Sequence, residues 1–458
     1  MPHRDALTES RRSFVANAAR VAGAALAFRP LQFLAQGAAA KSAPVTAQVT
    51  AQAADADAAW KRTWEAAIGV LAGNLRRVPG YPEPVLLEGS TYEGIWQECG
   101  PHEGLVYATL EKFIPTVEGK PTPRQAARNN HIAFFALQRP DGQLPASVKM
   151  SENGFGQIQM VVPIAATAWD LAQLTGDDEL LTTAYKACGR WDAWLRQYRD
   201  TRKTGLVEGF CTYDTGHDNS PRWSGIPNRC PDADARKCPP LATMPRLCPD
   251  LSATVYGGRM ALAAMAKSLG KNDEAARWLA DAETIRRLIL DNFYSPEDAA
   301  FYDLDAQGKF VRVRSDVISR VLGEHVLDLN QARDKKIFDA VWERQLHNPK
   351  AFWAKFPFSS IAQDDPAFVR PIPRNSWGGA SQALTALRTP RWMKHYGKQA
   401  ELDQLMRQWC EAIARHGEFR QQVDPATGVF TQPDPGGYSP TALVFLSFAT
   451  ALGKGRKL

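Results

Sequence analysis

None of the apolar runs in this 458-residue chain reaches the ~20 residues that a membrane-spanning helix requires, so no membrane insertion is expected. No CxxC pair and no HxxxH spacing accompanies the seven cysteines, which removes the usual zinc frameworks; no metal and no cofactor is expected. The odd cysteine count excludes complete pairing within one chain. Cys230, Cys238 and Cys248 share one Pro-rich loop, and a disulfide among them is the first expectation. Charge is close to balanced. The net of +6 is half accounted for by residues 1–40, which hold five Arg against Asp5 and Glu9, so nucleic acid is not an expected partner. Strand-like runs are short and sparse; FYDLDAQGKFVRV, from Phe301, reads as a hairpin decorating a loop.

What is present is the composition of a globular protein, with 44% hydrophobic and 23% charged residues. Thirteen Trp exceed what a core of this size needs, and aromatic faces beside polar groups suit sugar rings. Ser10-Arg11-Arg12-Ser13-Phe14-Val15 is a twin-arginine pattern, followed by an Ala-rich run from Ala18 to Phe28 and small residues Ala38-Ala39-Ala40. Residues 1–40 therefore read as a twin-arginine (Tat) signal peptide, which makes the Tat export machinery a partner and places the mature protein in the periplasm or outside the cell. Residues 41–58 read as a flexible leader, and 59–458 as one domain.

Helical periodicity dominates from about residue 125. Ala275, Trp278, Leu279, Ala282, Ile285 and Ile289 follow a one-face helical template behind an N-cap at Asn272 or Asp273. Leu180, Ala184, Cys188, Trp191 and Leu195 do the same. Around Gly176, Gly270 and Gly397 an apolar helix ends on Gly and another starts within a few residues. Three helical hairpins of one design at unequal spacing predict a closed double ring of helices rather than a solenoid. The long Pro/Gly/Trp-rich loops at 80–105, 140–160, 205–250, 365–380 and 424–440 are expected to gather at one rim and carry function.

One of those loops holds YDTGHDNSPRW, residues 213–223. Asp, Asn, Ser and Pro are turn formers, so Asp214 and Asp218 have a bland reading as turn residues. The functional reading makes Asp218 an acid whose proton affinity is raised by burial near Pro221 and Trp223.

The stretch GLVEGFCTYDTGHDNSPRW resembles the catalytic-acid segment of (α/α)6-barrel glycoside hydrolases: family 63 glucosidases, mannosylglycerate hydrolases and, more distantly, trehalases. FFALQRPDGQLP from Phe134, Pro249-Asp250-Leu251-Ser252-Ala253, WGGASQALTAL from Trp377, and VDPATG with GYSPTALV extend the resemblance over about residues 90–448. It implies an all-α fold, an (α/α)6 barrel with long rim loops and minor β-hairpins. It also implies an inverting exo-glycosidase acting on a short α-linked glucoside or related saccharide, an oligosaccharide or glycoside being the substrate. Asp218 takes the place of the family's general acid, and Asp214 replaces a Glu at a subsite. Trp96, Arg222, Trp223, Trp377 and Gln382 are expected to line the sugar pocket, with Arg222 and Arg374 placed either to bind an anion or to pair with nearby carboxylates. The family's general base is a Glu; Gln421 stands in its place and cannot accept a proton. Glu418 is the first substitute, one turn away if the segment is helical, with Asp424 and the pair Glu98 and Glu103 as others. Two readings from other classes follow. One is a catalytically silent glycan-binding protein that keeps the pocket without a base. The other is a polysaccharide lyase using Tyr213, His217 and Arg222.

Overall fold

The computed structural model describes residues 45–373, 375–431 and 435–455, with side chains from residue 57 onward. The chain divides into two units, Met1–Gln52 and Ala53–Leu458. The expected export signal, Arg374 and the first four residues of the expected leader lie outside the described residues; from Val45 on, the leader's described part is the start of a helix, α1 (Val45–Asn74).

Eleven more α-helices follow among the described residues: α2 (Gly100–Thr109), α3 (Pro123–Ala136), α4 (Ile164–Thr175), α5 (Asp178–Tyr198), α6 (Pro249–Ser268), α7 (Asn272–Asn292), α8 (Val317–Gly323), α9 (Ala332–Val341), α10 (Ala383–Met393), α11 (Gln399–His416) and α12 (Ser439–Ala451). The even-numbered helices touch in a cycle, α2 to α4 to α6 to α8 to α10 to α12 and back to α2, which closes an inner ring of six. Their sequences explain the position. In α12 ten of thirteen residues are buried and apolar side chains point all round, as a helix covered on every side requires. The odd-numbered helices α5 and α11 instead bury one stripe, in α11 Leu402, Leu405, Met406, Trp409, Cys410, Ala412 and Ile413, at helical spacing. They form the outer layer, and Trp60 of α1 meets Phe445 of α12 at 5.5 Å between tilted rings to complete the sixth pair. This is the expected all-α, (α/α)6 barrel.

The three glycine junctions stand where the sequence put them. Gly176, Gly270 and Gly397 have φ of 70°, 74° and 69°, a left-handed conformation that costs other residues about 1–2 kcal/mol. On α7 the expected face is only partly kept: Ala275, Ala282, Ile285 and Ile289 are buried, Trp278 is half-buried and Leu279 is exposed. The cap there is Lys271 rather than Asn272 or Asp273.

Because inner and outer helices alternate in direction, every segment that leads from an outer helix to the next inner one emerges at the same end. The long loops are these segments, and they are knitted together. Gly94–Trp96 pairs antiparallel with Ser147–Lys149, and Ser381–Gln382 with Gln422–Val423. Glu208–Gly209 joins Arg246–Leu247, which continues through Asp303–Leu304 to the hairpin strand Phe310–Val311. The rim is therefore a set of small sheets laid over one mouth of the barrel.

Candidate active site

The loop that carries Asp218 is fixed at its base by a buried ion pair. Arg199 ends α5 and donates through Nη1 and Nη2 to Asp214 at 2.5 and 3.1 Å, both side chains being wholly buried. Asp214 also accepts the backbone N–H groups of Ile158, Phe210 and Cys211 at 2.9, 2.7 and 3.2 Å. A charge so enclosed is held in place by its partners. Asp214 is thus a fastener between the 205–250 and 140–160 loops, not the substrate contact expected from the sequence.

From there the chain stays buried through His217 and surfaces at Asp218. Thr212–Thr215 makes a short turn, and Gly216 follows at φ 61° with the Glu98 carboxylate lying against its Cα: a methyl group there would sit 1.5 Å from Glu98 Oε2. His217 points into the barrel, where its Nε2–H donates to Asp316 at 2.6 Å and its Nδ1 accepts from Arg222 at 2.8 Å. Burial first, and then the nearby Arg320, lowers His217 to about 4 and keeps it neutral. Arg222 forks onto both Asp250 (2.7 Å) and Asp303 (2.6 and 2.7 Å). Trp223 is buried and donates to Thr215 at 2.9 Å. Arg222 and Trp223, expected at the sugar, therefore lie beneath the surface, and of the three residues the lyase reading would use, His217 and Arg222 are engaged there while Tyr213 lines the cavity.

Asp218 and Tyr213 are the members of this stretch that line the mouth. Asp218 is half-buried and borders a cavity of about 340 Å³ whose walls include Tyr92, Trp96, Lys149, Gln159 and Tyr213. Burial raises its carboxyl above the ordinary Asp range, against one hydrogen bond from Asn375 that lowers it. That hydrogen bond, from Asn375 Nδ2 at 3.0 Å, begins a chain. Gln421 Nε2 donates to Asn375 Oδ1 at 2.9 Å, and Tyr92 OH donates to Gln421 Oε1 at 2.8 Å. One asparagine amide, about 2.3 Å from oxygen to nitrogen, thus separates Asp218 from Gln421, so the two side chains stand at most about 8 Å apart. Glycosidases with two carboxyl groups at ~6.5–9.5 Å work by direct displacement. Here the second group is a carboxamide.

The other expected residues divide sharply. Trp96 lines the cavity, edge-on to Tyr92 at 5.6 Å. Trp377 is buried against His217 and under the Arg320 guanidinium, and Gln382 is buried with its amide donating to Ser376 O and Gln422 Oε1, so neither reaches the cavity. Glu418 is a correction. The chain after α11 is extended rather than helical, so the one-turn shift does not occur; its side chain is 48% exposed and pairs with Arg420 at 2.6 Å. Asp424 accepts N–H groups of its own turn, from Ala426 and Thr427. Glu98 and Glu103 are buried below the cavity. Burial is the chief cause that lifts each to about 7, Glu98 Oε2 has no partner among the described residues, and Gln159 hydrogen-bonds Glu98 from the cavity wall.

Sequence reasoning passed over Tyr92, Lys149, Gln159, Asn375, Arg139 and Arg229. The last two line the cavity on the Tyr213 side, where Tyr213 N–H bonds Asn228 O at 3.1 Å and Arg139 stacks 3.8 Å over Phe155. Their signal was only that they fall in, or at the edge of, the long rim loops. All seven cysteines are unbridged; the nearest pair is Cys211 with Cys230, Sγ to Sγ 3.6 Å, and not the trio expected in the Pro-rich loop. Two triads of possible metal ligands occur, Cys211–Asp214–Cys230 and Cys248–Asp250–Asp303. In each a guanidinium, Arg199 or Arg222, already neutralises the carboxylates. No helix among the described residues is long and apolar enough to cross a membrane.

A double helical ring with a half-buried carboxyl in an aromatic- and amide-lined mouth is the arrangement of a glycoside hydrolase of the six-hairpin type. Specifically, the chain belongs to the family described as mannosylglycerate hydrolase MGH1-like glycoside hydrolase domains, which it matches over residues 115–439. Among solved structures it is similar to a family 63 mannosylglycerate hydrolase from Thermus thermophilus bound to Tris and D-glycerate: 17% identity, TM-score 0.64, covering 85% of this chain and 100% of that one. The glucose complex of that hydrolase gives 18% identity and a TM-score of 0.62 over 85% and 99%. The neutral trehalase of Saccharomyces cerevisiae is 13% identical, with a TM-score of 0.60 over 82% of this chain and 75% of that one. At such identities these likenesses establish the fold. No curated protein matches the chain.

Proposed function

We propose that this glycoside hydrolase cleaves, with inversion, a short α-linked glucoside or related glycoside whose departing half carries an anionic group. The observation that carries the proposal is Asp218, a carboxyl whose proton affinity burial raises, at the wall of a cavity of about 340 Å³. That volume sits at the small end of ligand sites and suits a disaccharide-sized substrate. Asp218 protonates the leaving oxygen; Trp96 and Tyr92 stack on the sugar ring. Arg139 and Arg229, on the Tyr213 side next to Asp218, meet the negative charge of the leaving group. The D-glycerate bound by the Thermus relative is an anion of that kind. Inversion belongs to this reading because the group linked to Asp218 through Asn375 is an amide rather than a carboxylate. Gln421 offers no carboxylate to form a glycosyl-enzyme. The mature protein acts after Tat export, on the strength of the twin-arginine sequence.

Gln421 also favours a second reading, the silent glycan-binding protein, since an amide cannot deprotonate water. Proton NMR on α-glucosides and α-mannosides, with and without a carboxylate on the aglycone, separates the two. The proposal expects turnover of the anionic members with the β-anomer released first. Heat of binding without product marks the silent protein, and first release of the α-anomer rules out inversion.

A further inference from the structure

We propose that the site accepts inorganic phosphate as the nucleophile in place of water, so that the protein is also a glycoside phosphorylase; this rests on the general-acid reading of Asp218. The group one asparagine amide away from Asp218 is Gln421, a carboxamide that cannot deprotonate an attacking group. Gln421 is buried and both ends of its amide are committed, Oε1 to Tyr92 and Nε2 to Asn375. Asp218 and the exposed Glu152 are the acidic side chains on the cavity wall, and Glu418, Glu98 and Glu103 do not reach it. Water attacks poorly without a base. An oxyanion needs none, because its nucleophilic oxygen is already deprotonated.

The wall is also charged for an anion. Lys149 lines the cavity and pairs across the strands with Gly94, while Ser147 pairs with Trp96, so Lys149 and Trp96 present to one face. The Lys149 ammonium is thereby available to an anion in the same cavity that Asp218 borders. Its contact with Glu152 is long, 3.9 Å, and Glu152 is exposed, so a phosphate exchanges for it at small cost. A glutamate at 421 would repel that phosphate; the amide does not.

The step balances without further reactants. A phosphate oxygen of HPO4²⁻ bonds to the anomeric carbon as the glycosidic C–O bond breaks and its electron pair goes to the leaving oxygen. That oxygen takes the Asp218 proton, and the phosphate's own proton restores Asp218. The products are a glycosyl 1-phosphate of inverted configuration and the free aglycone.

The test follows the glycoside consumed in the panel above, and α-D-glucosyl and α-D-mannosyl fluoride, in phosphate and in potassium chloride of matched ionic strength. Phosphorus and proton NMR identify the products. Phosphate is expected to raise turnover at least tenfold and to give a β-glycosyl phosphate. Gln421→Glu is expected to reverse this, gaining hydrolysis in chloride and losing the phosphate response. Equal rates in both salts with free sugar as the product overturn phosphorolysis and leave the hydrolase standing. No consumption in either salt overturns both readings, and a Gln421→Glu chain with an unchanged phosphate response removes Gln421 from the nucleophile's path.

Discussion

Replacing Asp214 by Asn keeps the shape of the side chain and removes its charge, which tests whether this residue fastens the loop or serves the substrate. In the folded chain five donors converge on the carboxylate: two from Arg199 and the N–H groups of Ile158, Phe210 and Cys211. Whichever way the new amide turns, its NH2 meets at least two of them, Arg199 Nη2 and Ile158 N–H in the kinder orientation. Breaking a wholly buried pair on one side costs about 3–5 kcal/mol, and two faced-off donors at about 1–3 kcal/mol each point to the same size of loss. With an unfolding entropy near 2.1 cal/mol/K per residue over some 400 residues, about 4 kcal/mol lowers the melting temperature by about 5 °C. Calorimetry on Asp214→Asn and, as a control, on Glu418→Gln measures it. The exposed Glu418–Arg420 pair is worth at most about 1 kcal/mol, so the control should move by about 1 °C or less. An Asp214→Asn chain that melts like the control would refute the fastening role.

Two further outcomes follow from the Glu98 contact. Gly216→Ala adds a methyl group 1.5 Å from Glu98 Oε2 at a left-handed position, so it should lower stability by about 1–3 kcal/mol and reduce turnover by displacing Asp218. Adding Glu98→Ala should recover part of that stability in a urea titration, and no recovery would mean the two residues do not collide. Glu98 also sets a pH dependence. Its folded value of about 7 lies above the ordinary 4.5, so the folded state binds the extra proton. The stability this brings is complete below about pH 4.5 and disappears as pH rises through 7. The shift corresponds to about 3 kcal/mol, so Glu98→Gln should flatten the stability loss between pH 4.5 and 8 by roughly that much, and parallel curves for the two chains would contradict the assignment.

The parts of this fold that were legible in the sequence are those carried by local physics. Glycine at 176, 270 and 397 marks helix ends because only there is a left-handed residue needed, and the apolar stripes of α5 and α11 repeat at the helical period. The site divided differently. Asp218 and Trp96 fall where the sequence pointed. Asp214, Arg222 and Trp223 share Asp218's stretch, yet two short turns on either side of Asp218 bury them, Asp214 on Arg199 and Arg222 on Asp250 and Asp303. Those partners lie 15, 28 and 81 residues away in the chain, beyond the reach of spacing arguments. Tyr92, Gln159 and Asn375 come from loops with no period to single them out. Glu418 was placed by a helical register that the chain after His416 does not have.

Asp218 is the centre of the account, and its loss is the most direct test. Asp218→Asn keeps the bond to Asn375 within reach and removes the transferable proton, so turnover of an anionic α-glycoside should fall ~10²–10⁴-fold with binding retained. In the unmutated chain the rate should decline with rising pH at a value above the ordinary Asp range, as burial of that carboxyl requires. An Asp218→Asn chain that cleaves the same substrate at the original rate would contradict the account.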